Sequence, residues 1–173
     1  MNITHAARAL VLGAVAVAAT VALTACGDPS TPNHVESKSS ATGTAAKADH
    51  IAPSWLPDEA HEIEVTRRTT GNERILVASY DGRLDSRSCF PIARPGDPSI
   101  DELTRAYSSD PMTHGVQPRL LTSRPSLTAA WWPTGQETKA TLLCDRWWVG
   151  VDGGRIYAFS PELTSIAADP RAN

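Results

Sequence analysis

Two adjacent tryptophan pairs, Trp131-Trp132 and Trp147-Trp148, are the residues in this chain whose type and spacing best suit ligand contact. Successive side chains of a strand point to opposite faces. If both runs are extended, one tryptophan of each pair faces a core and the other faces outward. Outward rings on neighbouring strands would form an aromatic patch for a cell-envelope protein or a glycan. The alternative is that a helix or the tail covers the second face and all four rings are structural, since tryptophan is heavily buried on average. Trp55, before "LPDEA", reads as a plug at the domain's edge.

Patterns for catalysis are sparse. Nucleophilic catalysis needs a nucleophile, a base and an orienting group. His61 and His114 lie in no recognisable motif and read as surface residues, and there is no G-x-S-x-G sequence. Acid–base work on sugars needs two carboxylates at a set separation. Asp81, Asp85, Asp101, Glu102 and Asp145 are the candidates, and each has a plainer role as a turn, capping or surface residue. Asp81-x-Arg83-x-Asp85 lacks the oxygen ligands and the glycine of a calcium loop. Neither a metal nor another cofactor is expected. A formal charge of −3 argues against nucleic acid as a partner. The residues therefore suggest a non-enzymatic binding or accessory module. The alternative is an envelope enzyme or enzyme subunit of hydrolase type, its carboxylates supplied from separate loops.

The three cysteines divide by context. Ala9 to Leu23 is an uncharged run of 15 residues, short of the roughly 20 that span a bilayer and suited to a signal-peptide core. It runs into Leu23-Thr24-Ala25-Cys26, which resembles a bacterial lipobox. The resemblance implies a signal peptide over residues 1–25, cleavage before Cys26, and a diacylglyceryl group with palmitate-type chains on its sulfur. It makes the chain a lipoprotein held on the extracytoplasmic face of the cell membrane. The alternative is a secretory signal with a coincidental cysteine.

Residues 26–52 hold only Val35 and Ile51 as large apolar side chains and are expected to be a flexible tether, with a root-mean-square reach of roughly 28 Å. The folded domain is then placed at residues 53–173. Within it Cys89 and Cys144, an even pair in an exported domain, read as a disulfide. Closing a loop of that length would contribute about 4 kcal/mol in the chain-entropy view. Two buried thiols or half of a metal site are the alternatives.

The elements that must position these residues are few. "TLLCDRWWVGVDGGRIYAFS" reads as a hairpin turning at Gly153-Gly154, where both residues can take positive φ. "HEIEVTRRTTGNERILVASYDG" reads as a second hairpin, with Ile63 and Val65 alternating against polar neighbours. Ser99 and Glu102 form a capping-box pattern for a helix whose apolar face carries Ile100, Leu103 and Tyr107. A strand is expected over Leu127 to Trp132, and a short helix in "SPELTSIA" capped by Ser160. Together these predict a single small α+β domain of antiparallel hairpins with one main helix. The run "WLPDEAHEIEV", the hairpin, Cys89 followed by Pro91, "LTAAWWP" and "CDRWWVGVDGGRIYAF" resemble small actinobacterial lipoproteins and secreted proteins. That resemblance covers most of residues 53–160 and implies a location and a fold, with no catalytic residues.

Overall fold

Gly153 and Gly154 adopt φ of 57° and 75°, which a two-residue turn matching the right-handed twist of its strands requires. They join β6 (Trp147–Asp152) to β7 (Arg155–Ser160). The second hairpin pairs β2 (His61–Arg68) with β3 (Arg74–Ser79). It carries a bulge at Glu62, whose φ is 51° and whose carboxylate accepts from the Ser79 hydroxyl at 2.8 Å. In this computed structural model, which describes residues 35–110, 113 and 115–167, β3 pairs β7 and merges the hairpins into one sheet. With β1 (Val35–Thr42), β4 (Cys89–Pro91) and β5 (Leu142–Cys144), the sheet has seven antiparallel strands in the order β1-β2-β3-β7-β6-β5-β4. The domain is a small α+β fold, as its sequence predicts.

Both faces of the sheet are covered. One buries Ile63, Val65, Leu76, Trp147, Val149 and Ile156 beneath the segment from α1 (Gly43–Ala48) to Ala60. The other buries Ile75, Leu143, Trp148 and Phe159 beneath α2 (Ile100–Ser109) and the long connection from 121 to 141. The α2 cap forms as its sequence predicts. Ser99 Oγ accepts from the Glu102 amide at 3.3 Å, and the Glu102 carboxylate accepts from the Ser99 amide at 2.7 Å. Leu103, Ala106 and Tyr107 are buried, whereas Ile100 is 53% exposed and lies outside the core. Arg105 sets its guanidinium 3.7 Å from the centre of the Phe90 ring and so packs α2 over β4.

Three sequence expectations are corrected. Residues 35–52 are part of the fold, not tether. β1 pairs with β2 along its length, from Val35 opposite Arg68 to Thr42 opposite His61. In α1, a Cβ on Gly43 would lie 1.9 Å from the Pro57 carbonyl oxygen, so only glycine allows this approach. The segment reads as tether because an edge strand draws on backbone pairing, and α1 buries only Gly43 and Ala46. Residues 127–132 form an irregular connection rather than a strand. The last short helix, α3 (Thr164–Ala167), starts beyond Ser160, which ends β7. Cys26, with residues 1–25, and His114 lie outside the described residues.

Cys89 and Cys144 face each other across β4 and β5 and are joined as a disulfide. A second tie comes from two buried carboxylates. Glu162 accepts from the amides of Asn72 at 2.7 Å, Glu73 at 3.1 Å and Leu163 at 2.9 Å. Glu73 accepts from the Ser126 amide, the Ser126 hydroxyl at 2.6 Å, the Leu127 amide at 3.0 Å and Arg68 at 3.3 Å. Replacing Glu162 with alanine strips three amides of their acceptor. We expect a loss of about 2–3 kcal/mol, read as a lower urea midpoint, and an unchanged midpoint would show that the turn holds itself.

Candidate functional site

The tryptophan pairs separate in the structure. Trp147 and Trp148 alternate across β6 as strand geometry demands, but both faces are closed, so neither ring reaches solvent. Trp147 meets Trp55 edge to face at 6.1 Å, and Trp148 meets Phe159 at 5.8 Å. The expected outward patch on neighbouring strands therefore does not form. Trp55 is a core residue, packed against Trp147 at the start of β6, rather than a plug at the domain's edge. Replacing Trp148 with alanine should cost about 3–5 kcal/mol; a loss below about 1 kcal/mol would reassign it to the surface.

Trp131 and Trp132 occupy the irregular connection and are half-buried. Trp132 lies edge to face with Tyr157 of β7 at 6.1 Å and with Trp131 at 6.3 Å. The connection is held at both ends. Glu73 grips Ser126 and Leu127 at its start, as described above. At its end, the Thr141 amide donates to Val149 at 2.9 Å and the Ile92 amide donates to Thr141 at 3.0 Å. Between them, residues Gln136–Lys139 make a single 3₁₀ turn.

This arrangement opens a groove of about 380 Å³, lined among others by Arg124, Leu127, Thr128, Trp132, Thr134 and Glu137. Ligand pockets typically run about 300–1,000 Å³ and combine apolar walls with a few polar groups. Among the described residues, Glu137 is the only carboxylate in the lining. A second hollow, about 530 Å³, lies over Ser39, Ser40, Glu62 and Glu64 beside the bulge. It has no aromatic wall, and Glu62 is already engaged by Ser79.

The carboxylates considered for acid–base chemistry are spread over the surface. Asp85 accepts from the Arg87 amide at 2.9 Å, which holds its carboxyl below the ordinary range. Glu102 is held low by the amides of Ser99 and Ala93. Asp81 and Asp101 are exposed. His61 is exposed at the start of β2.

Asp145 differs from these. It occupies the β5–β6 turn with φ of 49°, a left-handed conformation that Asp and Asn tolerate better than most residues. Burial pushes its carboxyl above the ordinary 3.8; the Asp110 carboxylate adds to the rise, and Arg146 opposes it. Arg146 Nε lies 3.6 Å from the Asp110 carboxylate. The same surroundings bury the Tyr107 hydroxyl, whose ionisation desolvation pushes up, and lower Arg74 to about 10 through burial and the charge of Arg146.

A carboxyl raised on folding binds its proton more tightly in the native state. Stability attached to Asp145 is therefore intact below the unfolded pKa and is lost as pH rises through the folded one. Asp145→Asn, which suits the same backbone, should raise the thermal midpoint at neutral pH. The gain should shrink as the medium is acidified through the carboxylate range, and a gain independent of pH would remove ionisation as its cause.

No protein family, curated protein or solved structure matches the chain.

Proposed function

We propose that the chain is a lipid-anchored extracytoplasmic binding module, held to the membrane through Cys26, that uses the Trp132 groove as its contact surface. The observation that carries the reading is the groove itself, with a half-buried indole, three exposed threonines and, among the described residues, a single carboxylate in its wall. The lipobox-like Leu23-Thr24-Ala25-Cys26 after an uncharged run supports the location. The disulfide fits an oxidising compartment outside the cytoplasm. The resemblance to small actinobacterial lipoproteins and secreted proteins agrees with both.

The hydrolase reading has less support. Hydrolysis of a glycosidic bond ordinarily draws on two facing carboxyl groups, and the groove's lining supplies one. The Asp110 charge acts on Asp145, but Arg146 is drawn to Asp110 at 3.6 Å and gives that pair a structural role.

Two experiments test the proposal. Cys26→Ala should shift the protein from the membrane fraction to the soluble fraction or the medium; retention in the membrane would refute the anchor. A photo-crosslinking side chain at Thr134 should capture a cell-envelope component in intact cells, while the same group at Lys38 on β1 captures none. Equal capture at both positions would remove the groove from the reading.

A further inference from the structure

Glu137 is 7% exposed and lines the groove. Its carboxylate makes neither a hydrogen bond nor an ion pair with any described residue. Glu73 and Glu162, more deeply buried at 1% and 0% exposed, each accept three or more hydrogen bonds. Burying a carboxylate removes its water and has to be offset by donors. Among the described carboxylates of buried residues, Glu137 is thus the one whose oxygens stay open to the groove and take their donors from water, so a ligand that displaces that water must carry hydrogen-bond donors.

The rest of the wall narrows the class. Trp132 gives an apolar ring face, and its Nε1 is buried without an acceptor, which leaves the ring as the recognition element. Thr128 and Thr134 bring exposed hydroxyls that can both donate and accept. Arg124 is exposed in the lining and forms no salt bridge with any described carboxylate. One negative and one positive group in the same wall disfavour a net cation, which would meet Arg124, and a net anion, which would meet Glu137. A neutral molecule with one apolar face and a rim of hydroxyls satisfies every part of this lining.

We propose that the groove binds a neutral saccharide, one ring stacked on Trp132 with adjacent hydroxyls donating to Glu137. The inference rests on the groove being the binding surface and adds the ligand class. The C–H face of a pyranose or furanose lies against the indole, where apolar area is removed from water without desolvating the ring's hydroxyls. Two neighbouring hydroxyls supply the donors that the Glu137 oxygens lack, and hydrogen bonds to a charged group are about twice as strong as neutral ones. Thr128 and Thr134 complete the rim, with Arg124 donating to a ring or hydroxyl oxygen.

The test is calorimetric titration of the full-length, detergent-solubilised protein with chitotriose, maltotriose, mannobiose and arabinobiose, with choline and acetate as charged probes. At least one saccharide should give saturable binding. Glu137→Gln, which keeps the shape but removes the charge, should weaken that binding about ten-fold or more, with Thr128→Val weakening it less. Thermal melts of both variants should match the parent, which separates loss of contact from loss of fold. Saccharide binding that Glu137→Gln leaves unchanged overturns the inference. So does saturable binding of choline or acetate with no saccharide bound, although the groove would remain the contact surface. Silence from every probe also overturns it, and the crosslinking at Thr134 then decides separately whether the groove binds anything.

Discussion

The structure depends most on two carboxylates that never reach solvent. Glu162 gathers the amides of Asn72, Glu73 and Leu163, and Glu73 in turn gathers Ser126, Leu127 and Arg68. Through them the β2–β3 turn, the end of β7 and the start of the 121–141 connection become one unit. Their burial is tolerable because each exchanges water for several donors, and a buried ion with full hydrogen bonding costs far less than a bare one. Take the pair away and the connection that shapes the groove loses its fixed end.

The disulfide and the 3₁₀ turn constrain the opposite end. Cys89 and Cys144 join β4 to β5, and the turn over Gln136–Lys139 delivers Glu137 to the groove wall. The groove thus lies between two rigid anchors, with Trp132 resting on Tyr157 as its floor. A site held in this way needs little rearrangement to accept a ligand, and pre-organisation of that kind lowers the cost of binding.

How much of this was legible in the sequence follows from the range of the interactions. The β6–β7 turn could be read because Gly153-Gly154 is a local requirement of backbone twist, and the α2 cap because Ser99 and Glu102 are three residues apart. The Cys89–Cys144 pair could be read from count and compartment. β1 escaped because an edge strand needs no apolar alternation, and "VESKSSAT" has none. Trp131-Trp132 suggested a strand because aromatic pairs favour strands, yet the Glu73 tie and Pro133 turn the chain instead. The Glu73 and Glu162 network was invisible for a different reason. Apart from Arg68 and Leu163, its partners are 53 to 90 residues away in sequence, and a lone glutamate beside a turn looks like a surface charge. Glu137, in "GQETKA", gave no signal either, since its burial comes from the sheet beneath it.

The start of β1 at Val35 also bears on the proposed anchor. If Cys26 carries the proposed acyl chains, the nine residues 26–34 would keep the first strand within about 30 Å of the membrane even when fully extended, where a span running to residue 52 would allow about 90 Å. On that proposal the domain would work at the height of the headgroups and the first layer of the envelope, without sweeping a wide volume. Val35 lies opposite Arg68, and Arg68 donates to Ser126 at 2.8 Å, so the first residue of β1 sits near the start of the connection that walls the groove. If the chain is anchored there as proposed, a short span at that edge would keep the groove close to the surface of its own cell, a reader of material laid down there, not of anything at a distance.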